Sequence, residues 1–149
     1  MTEKDVYVFY NDKVKILYSE IEALNNTLPV ELLFEVFAAF DHLKRIHVDK
    51  CEESHCAKEA YSHLKRGLLD AFKLKLKYHN TAFDKLMKGK IDLTIIDNGT
   101  YFPSLMSARA KIVKTAKSAR LHEGQNDPDK AFELWYEVSE LLNDFESNI

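Results

Sequence analysis

The sequence predicts an all-α fold, an up-and-down bundle of about five helices with one long central helix. Three observations carry this. Glycine and proline are scarce, 4 and 3 in 149 residues, which disfavours the many turns of a sandwich or barrel. Apolar residues recur at three-to-four spacing along most of the chain, the period of a helix with one buried face. Apolar residues make up 46% and charged residues 30%, a globular balance, and the length suits one domain spanning residues 1–149.

The first helix begins after Thr2, an N-cap with Asp5 three residues on, and carries Val6, Tyr10, Val14, Leu17, Ile21 and Leu24 as one apolar stripe. Asn25-Asn26-Thr27 ends it and supplies a cap for the second helix, which tolerates Pro29 in its first turn. The second helix runs from about Pro29 to Val48. It places Leu32, Val36, Ala39, Leu43 and Ile46 on one face, widened by Leu33, Phe37 and Phe40, and leaves Asp41, His42 and Arg45 on a narrow exposed strip.

The third helix runs from about Glu53 to Lys88 and stops at Gly89. Leu64, Leu68, Ala71, Tyr78, Ala82 and Leu86 form one side of its broad apolar arc, with Leu69, Phe72, Leu76, Phe83 and Met87 on the other, so it is the expected central element. From 90 to 102 the helical period lapses. Ile91, Leu93 and Ile95 alternate ahead of Asp97-Asn98-Gly99, the pattern of a short hairpin or a loop. Pro103 opens a fourth helix ending near Gly124. Asp127-Pro128 starts a fifth that carries Ala131, Leu134, Val138, Leu141 and Phe145, and Trp135 is read as a packing residue.

An internal similarity joins the second and third helices: AFDHLKRI at 39–46 is echoed by AYSHLKRG at 60–67. Two copies are too few for a solenoid. If the two helices form an antiparallel pair turning near residue 51, facing positions sum to about 103 and the two copies meet. Asp41, His42, Arg45, His63, Arg66 and Asp70 would then form a polar cluster able to exchange protons and hold an anion. The same residues also fit a solvated stripe of i,i+4 pairs, Asp41 with Arg45 and Arg66 with Asp70.

Charge is unevenly distributed. Between His63 and Arg120 there are 13 lysines and arginines against 4 acids, while the remainder carries a net −12. Lys73, Lys77, Arg109, Lys111, Lys114, Lys117 and Arg120 are the candidate nucleic-acid-binding residues of this basic middle. Lys111, Lys114 and Lys117 point outward, and Arg109 and Arg120 edge the face defined by Leu105, Ile112, Ala116 and Ala119. Phosphate binding and charge complementarity within or between subunits both fit, and a net charge of −3 favours the second.

Cys51 and Cys56, five residues apart in the connection before the third helix, imply no disulfide framework. With His47 and His55 they hold zinc-donor atoms, but the spacing does not fit a tetrahedral site, so no metal and no cofactor are expected. Gly-rich phosphate loops, nucleophile elbows and HExxH pairs are absent from the sequence. No basic-then-apolar signal opens the chain and no apolar run nears the length of a membrane span, so a cytoplasmic protein without membrane contact is expected.

The run AYSHLKRGLLDAFK at 60–73, following AAFDHL at 38–43, resembles the helical pair of bacterial HEPN-like proteins over about residues 30–88. The resemblance implies a bundle of four to five helices and a dimer. Active members are metal-independent ribonucleases with an Arg-x4-6-His motif, often in defence or toxin–antitoxin systems. Neither Arg45, Arg66, Arg109 nor Arg120 is followed by a histidine at that separation, so the resemblance implies an inactive or scaffolding member and transfers no catalytic residue. The expected function is a non-enzymatic helical interaction module that self-associates or binds a protein partner. The alternative is a ribonuclease or an RNA- or DNA-binding protein.

Overall fold

The computed structural model describes residues 1–148, which form helices joined by short connections, with no strand among them. The α-helices are α1 Glu3–Phe9, α2 Lys15–Asn25, α3 Val30–Val48, α4 Glu53–Met87, α5 Tyr101–Gly124 and α6 Pro128–Asn148. A π-helical turn, Tyr10–Val14, joins α1 to α2, and a 3-10 segment, Leu93–Gly99, precedes α5. The chain divides into two compact units, one of Met1–Ala71 and one from Phe72 onward, with the division falling inside α4.

In the first unit, Thr2 and Asp5 form a reciprocal capping box: the Asp5 N–H donates to Thr2 Oγ1 at 3.2 Å and the Thr2 N–H to the Asp5 carboxylate at 2.8 Å. The expected first helix is interrupted by the π-turn, which has a packing reason. Val6 and Val14 are eight residues apart, and an unbroken α-helix would rotate them about 80° from each other. The π-turn absorbs one residue, so Val6, Val14, Leu17 and Ile21 all reach the core while Tyr10 is turned to solvent.

Asn26, in the left-handed conformation, ends α2 by donating its N–H to the Glu22 carbonyl. The cap of α3 differs from the sequence expectation. Pro29, not Thr27, takes the N-cap position, with no side-chain cap bond. α3 buries Leu32, Ala39 and Leu43. It meets α4 most closely at Gly67, where a Cβ would lie 2.8 Å from Leu32 Cδ1 and 3.1 Å from Glu35 Cβ.

In the second unit, Asp127 caps α6 through the Lys130 N–H. Leu105, Ile112, Ala116 and Ala119 of α5 and Ala131, Trp135, Val138 and Leu142 of α6 are buried. The hairpin alternative for residues 90–102 is not what forms. The Asp92 carboxylate accepts from the Thr94 N–H at 3.0 Å and so starts a 3-10 turn, and Asp97 and Asn98 take left-handed conformations. Leu93 is buried, while Ile91 and Ile95 are exposed.

Candidate functional site

The His-Leu-Lys-Arg copies of α3 and α4 do meet. His42 and His63 stack with ring centroids 5.0 Å apart and planes inclined by 25°. His63 Nδ1 lies 2.6 Å from the carboxylate of Glu35, one α3 residue that sequence reasoning did not select. Both partners are about four-fifths buried, so the ring is held in one orientation and its Nε2 is left for other work. Glu35 also lies 3.7 Å from the Arg66 guanidinium. Burial lowers the His42 pKa, helped by the positive charge of Arg45 and by His63, so its imidazole is neutral near pH 7.

The rest of the expected cluster is looser. Arg45 bonds Asp41 at 2.9 Å along α3, the predicted i,i+4 pair, and both are exposed. Asp70 is exposed on α4, seven residues beyond His63 and so about 10 Å along the axis. Arg66 reaches the Glu35 carboxylate across the helix pair at 3.7 Å.

A second feature of the first unit is aromatic. Phe34, Phe37 and Phe40 are 66%, 66% and 69% exposed. The sequence reading set Phe37 and Phe40 on the edge of the core. The buried line of α3 runs through Leu32, Ala39 and Leu43 instead, and helical rotation carries Phe37 to its far side. Phe40 also borders an apolar groove of about 180 Å³ between α1 and α3, with Tyr7, Tyr10 and Val36 on its walls.

In the second unit the basic residues divide into two groups. Lys73 pairs with Glu123 at 2.9 Å, Arg109 donates to Asn80 and lies over the Phe83 ring, and Arg120 lies over the Trp135 ring. Those three cations serve contacts within the unit. Lys77, Lys111, Lys114 and Lys117 are exposed, and Lys114 and Lys117 flank a shallow groove floored by Met106, Ala110 and Val113.

No family model, curated protein or solved structure matches this chain.

Cys51 and Cys56, from which the sequence implied no disulfide framework, are joined to each other in a single local disulfide. The bond ties the turn before α4 to the helix's first turn, where the Cα atoms are 6.6 Å apart. His47 instead bonds Glu3 at 2.8 Å. Among the described residues no group of three histidine, cysteine or acidic side chains is placed to hold a metal ion.

Two polar residues of the second unit were missed by sequence reasoning. Lys75 is 1% exposed, and its ammonium donates to the Ser139 hydroxyl at 3.1 Å, the Ser139 carbonyl at 3.4 Å and the Asn143 side chain. His79, one turn further along α4, is buried between Phe83 and Phe145. The signal was present: Leu68, Ala71, Lys75 and His79 continue the three-to-four spacing of the buried stripe.

Proposed function

We propose that this chain is a non-enzymatic helical interaction module that works in self-associated form, with the outward face of α3 as its contact surface. The observation that carries this reading is the exposure of Phe34, Phe37 and Phe40 on one helix. Large aromatics gathered in water cost free energy that association recovers, and aromatic side chains are enriched at the centres of protein interfaces. The test is light scattering across a concentration series. The expected result is a mass of two or more chains for the native protein and one chain for Phe37→Asp, with unchanged helical circular dichroism. A single-chain mass for the native protein at all concentrations refutes the reading.

A second reading, a ribonuclease or RNA-binding protein, is favoured by the approach of His42 to His63. A neutral His42 accepts a proton, an oriented His63 exchanges one, and Arg45 and Arg66 supply charge for a phosphate. In the second unit, taken by itself, the exposed lysines at 111, 114 and 117 offer a separate basic surface for RNA. Cleavage of a short RNA that is lost in His42→Ala and in His63→Ala supports catalysis. Salt-sensitive binding lost on replacing the three lysines supports binding alone, and no RNA complex at low salt ends both.

A further inference from the structure

The aromatic face of α3 has a polarity of its own. Its first three turns show Val30, Phe34, Phe37 and Phe40 to solvent, whereas its last two show Asp41, Lys44 and Arg45. Glu31 is exposed at the opposite end of the helix. We infer that this face packs on the same face of a second copy, as an antiparallel α3–α3 pair with its two-fold axis at Phe37. The inference rests on the self-association proposed above and specifies its geometry.

Register follows from which alignment covers all three rings. In an antiparallel helix pair, facing positions have a constant sum, and an axis at Phe37 sets that sum at about 74. Phe37 then meets its own copy, Phe34 and Phe40 come to the same level, and Val30 lies against the aliphatic stem of the second copy's Lys44. Sliding the axis toward Lys44 centres charged side chains and returns Phe34 to water. Sliding it toward Val30 strands Phe40.

Charge selects the antiparallel direction and a second copy of the chain as occupant. With the axis at Phe37, Glu31 of each copy lies within one turn of the other copy's Arg45. Arg45 already holds Asp41 at 2.9 Å, but its guanidinium has five donors and can take a second carboxylate. A parallel pair would set Glu31 against Glu31 and Arg45 against Arg45, and would align the two helix dipoles. The area is also sufficient. Three phenylalanines two-thirds exposed, with Tyr7, Tyr10 and Val30 about half exposed, offer roughly 600 Å² per copy. Two copies bury roughly 1,200 Å², the lower bound of a specific interface.

The test is oxidative cross-linking of single cysteine variants of the whole chain, run at concentrations where light scattering reports a dimer. The native cysteines are occupied with each other. Phe37→Cys sits on the axis and is expected to give a covalent dimer as the main product. Val48→Cys is exposed on the same line of the helix, but the antiparallel pair holds its two copies roughly 33 Å apart, so it is expected to give none. Cross-linking at both positions means a parallel pair and overturns the inference. A dimer with no Phe37→Cys product means another face is used, which overturns the inference and leaves self-association standing. Absence of any dimer removes both. As a measurement independent of cysteine, Glu31→Arg and Arg45→Glu are each expected to weaken dimerisation by about fivefold, with the double variant restored. No recovery in the double variant counts against the register.

Discussion

His79 meets Phe145 edge to face, with ring centroids 4.7 Å apart and planes at 86°. Its Nε2 is buried with no hydrogen-bond partner among the described residues. Burial, with a smaller contribution from the charge of Arg109, pushes the His79 pKa down to about 4. An unfolded histidine titrates near 6.5, so between these values the unfolded chain binds a proton that the folded chain does not. Stability attributable to this residue is therefore full above pH 6.5 and is lost progressively as pH falls to 4. The loss is on the order of 3 kcal/mol. Denaturant unfolding at pH 7.5 and 4.5 is expected to show it, and His79→Leu is expected to lose clearly less over the same interval. An equal loss in both proteins would place the acid sensitivity elsewhere.

Lys75 calls for a different measurement, because its buried ammonium leans on neutral oxygens of α6. Asn143→Leu removes one acceptor and is expected to cost about 2 kcal/mol. Lys75→Met removes the charge that needed it, so adding Asn143→Leu to Lys75→Met is expected to cost much less than in the native chain. Additive losses in this double-mutant cycle would show that the two side chains are not coupled.

Gly67→Ala sets two principles against each other. Alanine favours a helix interior over glycine by about 1 kcal/mol. The new methyl, however, would enter the space of the Leu32 side chain and the Glu35 Cβ, at 2.8 and 3.1 Å, and overpacking costs about 1–3 kcal/mol. Leu32 is buried and Glu35 is fixed by His63, so net destabilisation is expected. A raised midpoint in thermal unfolding would mean that α3 and α4 separate at little cost.

Thiol labelling tests the Cys51–Cys56 bond. The native protein is expected to resist alkylation until reduced, and reduction is expected to lower stability by about 2 kcal/mol for so short a loop. Ready alkylation without reductant would show two free thiols.

The helices were legible in the sequence because their signals are local. The Thr2 cap, the break at 25–27, the long stripe of α4 and the Asp127-Pro128 start each depend on neighbours within a turn or two. The meeting of His42 with His63 was also legible, since antiparallel numbering brought the two similar segments together. Glu35 was not, because its role depends on a partner 28 residues away. Phe37 and Phe40 were misplaced for a related reason: α3 is apolar on so much of its circumference that periodicity alone cannot say which part faces inward. Lys75 and His79 were passed over because their residue types suggest solvent, although their spacing suggested the core.

The π-turn at Tyr10–Val14 makes this stretch tolerant of a change in length that most helices reject. Val6 and Val14 already sit as if seven residues separated them, so a chain lacking Asn11 or Asp12, both exposed, could run as uninterrupted α-helix from Glu3 to Asn25 with the same valines inward. Relatives of this protein can therefore differ by one residue here without repacking their cores, and an alignment gap at this position would mark a change of helix type, not a loop.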